Sequence, residues 1–138
     1  MFSLTSSFQY YLYREPTDLR KSFDGLSGIV QGQLDRNPIS GEVFIFVNRR
    51  KNKVKLLRWE QGGFILYYKR LELGTFELPR FNGDAVSCQM SWPGLMLMIF
   101  GSKSERFIPD DPGQLSLGLD IEQREDTEQQ ETEDVASQ

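Results

Sequence analysis

Apolar residues recur along this chain with two different periods, and each period predicts a kind of element. Leu19, Phe23, Leu26, Val30 and Leu34 follow one another at spacings of 4, 3, 4 and 4 residues. That is the stripe one face of an α-helix presents turn after turn. Pro16-Thr17-Asp18 stands just ahead of it, with Thr17 suited to the N-cap and Asp18 to the positive end of the helix dipole. The spacing predicts one long N-terminal helix. Gly25, Gly28 and Gly32 weaken it by about 1 kcal/mol each relative to alanine, so tertiary packing has to hold it, and the glycines leave room for another backbone to approach.

The other period belongs to strands. Val43 to Val47 reads Val-Phe-Ile-Phe-Val, apolar on both faces, which predicts a central strand covered on both sides. Lys53 to Trp59 alternates in part, with Val54 and Leu56 opposite Lys53 and Lys55. Gln61-Gly62-Gly63 is a tight connection, Phe64 to Leu71 a third strand of the same meander, and Thr75 to Leu78 a short fourth. Upstream, Phe8 to Tyr13 is rich in aromatics and has no helix-starting signal, so it reads as a strand. Asp35-Arg36-Asn37-Pro38 and Ser40-Gly41 are turn chemistry. Downstream, Ala85 to Gln89 is a further strand. Ser91-Trp92-Pro93 then supplies an N-cap and an early-turn proline for a short C-terminal helix, Trp92 to Phe100, that Gly101 ends. The expected fold class is α+β: an antiparallel β-meander packed by one long N-terminal helix, with a short C-terminal helix.

Charge changes that picture at the C-terminal end. The 138 residues have room for one domain. From Asp110 onward there are ten acidic residues against a single Arg124, and no aromatics. Such a segment cannot bury enough apolar surface to offset its ordering entropy. The chain therefore divides into a single α+β domain, 1–109, and a disordered acidic tail, 110–138. The net charge of −4 splits into +5 for the first part and −9 for the second. The acidic segment is a candidate competitor for any cationic surface on the domain.

Such a surface is written into one short stretch. Arg49, Arg50, Lys51, Lys53, Lys55 and Arg58 fall within the eleven residues from Asn48 to Arg58, with no acid among them. One reading is a hairpin that grips phosphates, arginine being able to bind their oxygens in a bidentate way, with Asn48 and Asn52 as donors nearby. Lys69 and Arg70 on the next strand extend it. The other reading is a hairpin kept soluble by charge, its lysines blocking edge-to-edge association. Nothing resembles a helix-turn-helix or zinc finger, so backbone contact is favoured over sequence readout. Tyr10, Tyr11, Tyr13, Phe64, Tyr67 and Tyr68 are either stacking platforms for bases or sheet core with hydroxyls at the rim.

Several chemistries are excluded. The chain has no histidine, which removes the commonest general base, the nucleophilic pairs that depend on it and any histidine-containing metal site. One cysteine, Cys88, forms no intramolecular disulfide and reads as a buried apolar filler. No phosphate loop ending in Gly-Lys-Ser/Thr occurs. A carboxylate–magnesium site remains conceivable, but Asp18 and Asp24 on the expected helix lie about 120° apart in projection and do not converge. The expectation is a protein with no cofactor and no metal, and not an enzyme. The longest strongly apolar run, Leu95 to Phe100, is far too short to span a bilayer, and no secretory signal is evident. A cytoplasmic protein with no membrane contact is expected.

Four segments carry a resemblance. They are Pro16-Thr17-Asp18-Leu19-Arg20-Lys21-Ser22-Phe23-Asp24-Gly25-Leu26; Ser40 to Arg50; Lys55-Leu56-Leu57-Arg58-Trp59; and Gly63-Phe64 through Tyr68-Lys69-Arg70-Leu71-Glu72 with Gly74-Thr75-Phe76. Their order and spacing, over about residues 8 to 78, resemble the small accessory protein of the insertion-sequence-66 family, often labelled TnpB and unrelated to the RNA-guided nuclease of that label. The resemblance implies a bacterial mobile element in which this protein accompanies a larger transposase and supports transposition without catalysis of its own. It assigns no role to the Pro16 to Leu26 motif. Two functions follow: an accessory factor that touches the transposon ends through the basic hairpin, associating with the nucleoid when on DNA, or an adaptor that binds the transposase with little DNA contact. A metal-dependent nuclease stands third.

Overall fold

Val43 to Val47 leaves no polar side chain for solvent, and all five residues are buried. They form a strand near the centre of a six-stranded sheet in a computed structural model that describes residues 4–101 together with the backbones of 114–115 and 120–121. In chain order the elements are β1 (Leu4–Thr5), β2 (Tyr10–Tyr13), α1 (Phe23–Gly32), β3 (Val43–Val47), β4 (Lys53–Glu60), β5 (Gly63–Arg70), β6 (Ser87–Met90), α2 (Trp92–Phe100), β7 (Gln114–Leu115) and β8 (Asp120–Ile121). The main sheet runs β6-β2-β3-β4-β5-β8, and β1 pairs separately with β7.

The antiparallel meander is present but is not the whole sheet. β3, β4 and β5 pair antiparallel, with Ile45 opposite Leu56 and Leu57 opposite Leu66. β2, however, runs parallel to β3, Tyr10 facing Val43. The sheet is therefore mixed. A parallel neighbour needs a crossover long enough to return the chain to the same end, and the segment holding α1 is that crossover. The turn from β4 to β5 uses Gln61 at φ 46° and Gly62 at φ 88°, the two left-handed positions of a hairpin turn whose twist matches its strands.

The long N-terminal helix is also corrected. α1 has ten residues, begins at Phe23 and follows a strand. Thr17 is no N-cap: its backbone N–H donates to Val47 O at 2.9 Å and its hydroxyl to Glu15 O at 3.1 Å. Asp18 caps nothing either, since its carboxylate accepts from Arg20 N at 3.0 Å. These bonds hold residues 16–20 as a turn laid against the end of β3. Leu19 is nonetheless buried beside Leu26, Val30 and Leu34, so the stripe marks a shared burial direction rather than one continuous helix. Gly28 and Gly32 face open space, with nothing within 4 Å of a built Cβ, so neither admits a close backbone.

The two sheet faces are covered differently. Phe44, Phe46, Leu57 and Leu66 meet Leu19 and the apolar side of α1 on one face. On the other, Tyr10, Leu12, Val43, Ile45, Leu56 and Tyr67 are among the residues packed with Leu95, Met98, Ile99 and Phe100 of α2. Each fully buried side chain of this size contributes about 1.5–3 kcal/mol. α2 forms as its sequence signals, with Gly94 N donating to Ser91 Oγ at 3.1 Å and proline in the first turn. Thr75 to Leu78 forms no strand; Phe76 is held there by its N–H bond to Lys51 O. Cys88 is half-buried on β6 rather than a core filler. The expected disordered tail, 110–138, lies outside the described residues except for β7 and β8, whose backbones pair with β1 and β5.

Candidate nucleic-acid interface

The β3–β4 connection is organised by one side chain. Asn48 Oδ1 accepts from the backbone N–H groups of both Asn52 and Lys53 at 3.0 Å, and its Nδ2 donates to Asn52 Oδ1 at 2.7 Å. Lys51 N closes the turn on Asn48 O at 3.0 Å. From outside, the 71–76 loop braces the tip: Leu71 N donates to Asn52 O and Phe76 N to Lys51 O, both at 2.7 Å. Asn48, expected to offer a donor to a ligand, spends its side chain on this scaffold, whereas Asn52 commits only its Oδ1 and keeps its Nδ2 donor without a partner among the described residues. Arg49, Arg50 and Lys51 project from it and are exposed.

The six sequence-predicted cations separate into two groups. Arg49, Arg50, Lys51 and Lys53 make no ion pair among the described residues. Lys55 is turned inward, only 3% exposed, with Nζ donating to Lys21 O at 2.9 Å and lying 5.3 Å from the centre of the Tyr68 ring. Arg58 is on the opposite face. Its Nε donates to Gly41 O at 3.1 Å, its Nη1 to Glu60 at 2.9 Å, and its guanidinium lies over the Phe8 ring at 4.0 Å. Both are committed inside the molecule because β4 is a central strand and both its faces are covered.

Lys69 and Arg70 diverge in the same way. Lys69 Nζ donates to Ile99 O near the end of α2 at 3.2 Å and lies over the Phe100 ring, and burial pushes its pKa below the usual lysine value. Arg70 stays on the hairpin side, bonded to Glu72 through Nε at 3.0 Å and Nη2 at 2.9 Å. The aromatics mostly pack: Tyr10, Tyr67 and Tyr68 are buried, Tyr11 stacks on Phe44 at 6.1 Å, and Trp59 meets Phe64 edge-on at 5.0 Å.

One cationic residue goes unread in the sequence. The turn at 16–20 and the hairpin at 48–53 form two walls of an open groove of about 930 Å³. Arg20 lines it with Arg49, Arg50, Lys53 and Arg70, and Asp18 is its one carboxylate. Arg20 grips Asp18 through Nε (3.0 and 3.2 Å) and Nη2 (2.8 Å), and these bonds hold the Asp18 pKa down at about 2. The signal for Arg20 was its place in the Pro16 to Leu26 motif, but read as helix that motif sends the side chain to open solvent. Among the described residues no group of three or more His, Cys, Asp or Glu could hold a metal ion. Among them, too, no helix is long and apolar enough to cross a membrane.

Comparison with known proteins gives the chain its relatives. It is 31% identical over 87 residues to the uncharacterized protein y4jC of Sinorhizobium fredii (strain NGR234), covering 63% of this chain and 73% of that one. It is 38% identical over 72 residues to the uncharacterized protein y4hO of the same strain, covering 51% of this chain and 62% of that one. No solved structure matches it. The family model described as IS66 Orf2-like protein matches residues 8–108, from just ahead of β2 through α2. The chain therefore belongs to the IS66 Orf2-like family, which ties it to insertion sequences and their transposition.

Proposed function

We propose that this protein is a non-catalytic accessory factor needed for transposition of a bacterial insertion sequence, and that it contacts the element's DNA through the basic hairpin. It works in the cytoplasm, on the nucleoid when bound to DNA, beside the element's transposase and without a cofactor. Membership of the IS66 Orf2-like family supports the transposition role. The observation that carries the DNA contact is the tip itself: Arg49, Arg50 and Lys51 are exposed on a backbone fixed by Asn48 and by the 71–76 loop. Lys51 sits at φ 60°, a left-handed conformation that glycine or asparagine adopts at less cost. A lysine there favours a use for its charge over ease of folding.

Replacing Arg49, Arg50 and Lys51 together with alanine tests the reading. DNA affinity should fall, and the slope of log K against log salt should flatten by about 0.9 for each phosphate that is no longer neutralised. The melting temperature should stay near that of the parent protein, since solvated surface charges rarely contribute more than about 0.5 kcal/mol. Unchanged binding at every salt concentration would assign these cations to solubility.

A second reading, an adaptor that binds the transposase with little DNA contact, draws on a different observation. Leu73 and Leu97 are 90% and 66% exposed and flank an apolar hollow of about 70 Å³ that Leu71, Phe76 and Met98 help to line. Capture of the transposase at high salt, abolished in Leu73→Asp and Leu97→Asp variants, would support it.

A further inference from the structure

Outside the tip, the groove is the feature with the most unspent chemistry. We propose that it receives the sugar-phosphate backbone of duplex DNA, with Arg20 as a phosphate-gripping residue and Asp18 as the residue that positions it. The proposal rests on the DNA-contact reading of the hairpin and extends that surface to a second wall.

The guanidinium of Arg20 carries five N–H donors in a planar fork. Asp18 takes the side-on edge, through Nε and Nη2. That leaves the end-on edge, one N–H each of Nη1 and Nη2, with no partner among the described residues. This edge can meet a phosphate with two parallel bonds. The Arg20 side chain is 90% exposed, so nothing in the described structure covers it. An exposed arginine normally samples many rotamers, and freezing it on a ligand has an entropic cost. Here the carboxylate has already restricted it. Asp18 is itself fixed, because its Oδ1 also accepts the backbone N–H of Arg20 at 3.0 Å and its own carbonyl accepts Lys21 N at 3.1 Å.

Why the groove favours nucleic acid follows from its lining. Four of its five cations are arginines, with Arg20 on one wall and Arg49, Arg50 and Lys53 on the other, and its carboxylate is neutralised in place. At about 930 Å³ and open to solvent, it has room for more than a single ion. The 16–20 wall cannot swing away freely: Thr17 is buried and its N–H is bonded to Val47 O, the last residue of β3 before the tip. Both walls are thus anchored to the same strand end. That gives the Pro16 to Arg20 part of the motif a physical task, holding one arginine at a set place opposite the hairpin.

Fluorescence anisotropy with a labelled duplex of arbitrary sequence, using the full chain over a range of salt, tests this. Arg20→Ala should weaken binding at least about tenfold at low salt, as expected when a charge-assisted phosphate contact is removed, and lower the salt slope by about 0.9. Asp18→Asn keeps the acceptor for Arg20 N, and with it the turn, but releases the guanidinium. If Asp18 positions Arg20, this variant binds more weakly even though a negative charge has been removed. If the groove is only a diffuse positive field, it binds more tightly, and the positioning role falls. Arg80→Ala, an exposed cation that does not line the groove, is the control and should bind as the parent protein does. Melting temperatures of all variants separate lost binding from lost folding, and circular dichroism at the assay temperature confirms each is folded.

The outcomes divide cleanly. If the hairpin triple variant loses affinity while Arg20→Ala does not, the groove proposal is overturned and the hairpin reading survives. If neither loses affinity, both fall. If polyglutamate competes as well as duplex DNA at equal charge concentration, the groove is a general anion surface and the commitment to nucleic acid is overturned.

Discussion

Lys53 and Lys55 are two residues apart on β4 and point to the same side of the sheet, yet the structure gives them opposite fates, and exchanging each in turn exposes the difference. Lys55→Met keeps the aliphatic stem and removes the ammonium. The charge-assisted bond to Lys21 O, worth about 1.5–3 kcal/mol, disappears, and a carbonyl is left short of a donor. Against this, the desolvation of a buried cation, several kcal/mol in a protein interior, no longer opposes folding. With about 1–3 kcal/mol for the carbonyl left without its donor added to the lost bond, the relieved desolvation offsets most of the total and leaves a net loss of about 1–2 kcal/mol. For a domain of this size that lowers the melting temperature by roughly 3–8 °C. Lys55→Ala also removes the stem and opens a cavity, so its loss should reach about 3–4 kcal/mol. DNA affinity of Lys55→Met, measured well below its melting temperature, should match the parent protein. Lys53→Ala should do the reverse, leaving the melting temperature nearly unchanged and weakening DNA binding with a shallower salt slope. A Lys55→Met protein as stable as the parent but as weak on DNA as Lys53→Ala would refute the reasoning, because it would place the Lys55 ammonium outside.

Gly28→Ala should raise stability by about 1 kcal/mol, read in a urea titration, since the position lies within α1 with open space around a built Cβ. Glu42 is held below its ordinary pKa of 4.5 first by Arg36 and also by the Ser40 hydroxyl. A depressed carboxylate contributes stability that is complete above 4.5 and lost as pH falls through the lower folded value. Glu42→Gln should therefore be about 1 kcal/mol less stable at neutral pH and show a flatter acid limb below 4.5 than the parent protein.

Elements with strong local chemistry were legible in the sequence. The uninterrupted run Val43 to Val47 is the central strand it resembles, Gln61-Gly62 is the hairpin turn, and Ser91, Pro93 and Gly101 bracket α2 at Trp92–Phe100. What failed depended on distant partners. The spacing of Leu19 ahead of Phe23 records only that both are buried on one side, and a turn does that as well as a helix. Thr17 was drawn into the turn by Val47, thirty residues on. The parallel pairing of β2 with β3 leaves no local trace, although a strand, a helix and a strand in succession is the order that permits it. At the candidate site, charge density identified the hairpin tip and the strand after it but not which cations remain outside. Lys55 and Arg58 lie where both sheet faces are covered, a fact about α1, α2 and Phe8 rather than about β4. Arg20 was missed because its partner wall is nearly thirty residues away along the chain.

The position of β2 between β3 and β6 also sets an order of events during synthesis. β4 and β5 are joined by a two-residue turn, whereas Tyr10 must wait for Met90, eighty residues later, to complete its second ladder. Loop closure of that length is slow relative to a hairpin. The meander therefore assembles first, with β2 docking on β3 as an unprotected margin, and α2 sealing the opposite face only after β6 has arrived. Pulse-labelled exchange should find β4 and β5 amides protected before those of β2; simultaneous protection would mean a single concerted step. Until β6 fills the edge of β2 and α2 covers Tyr10 and Leu12, the sheet still has room for a foreign strand, and the nascent chain is at its most adhesive in that interval.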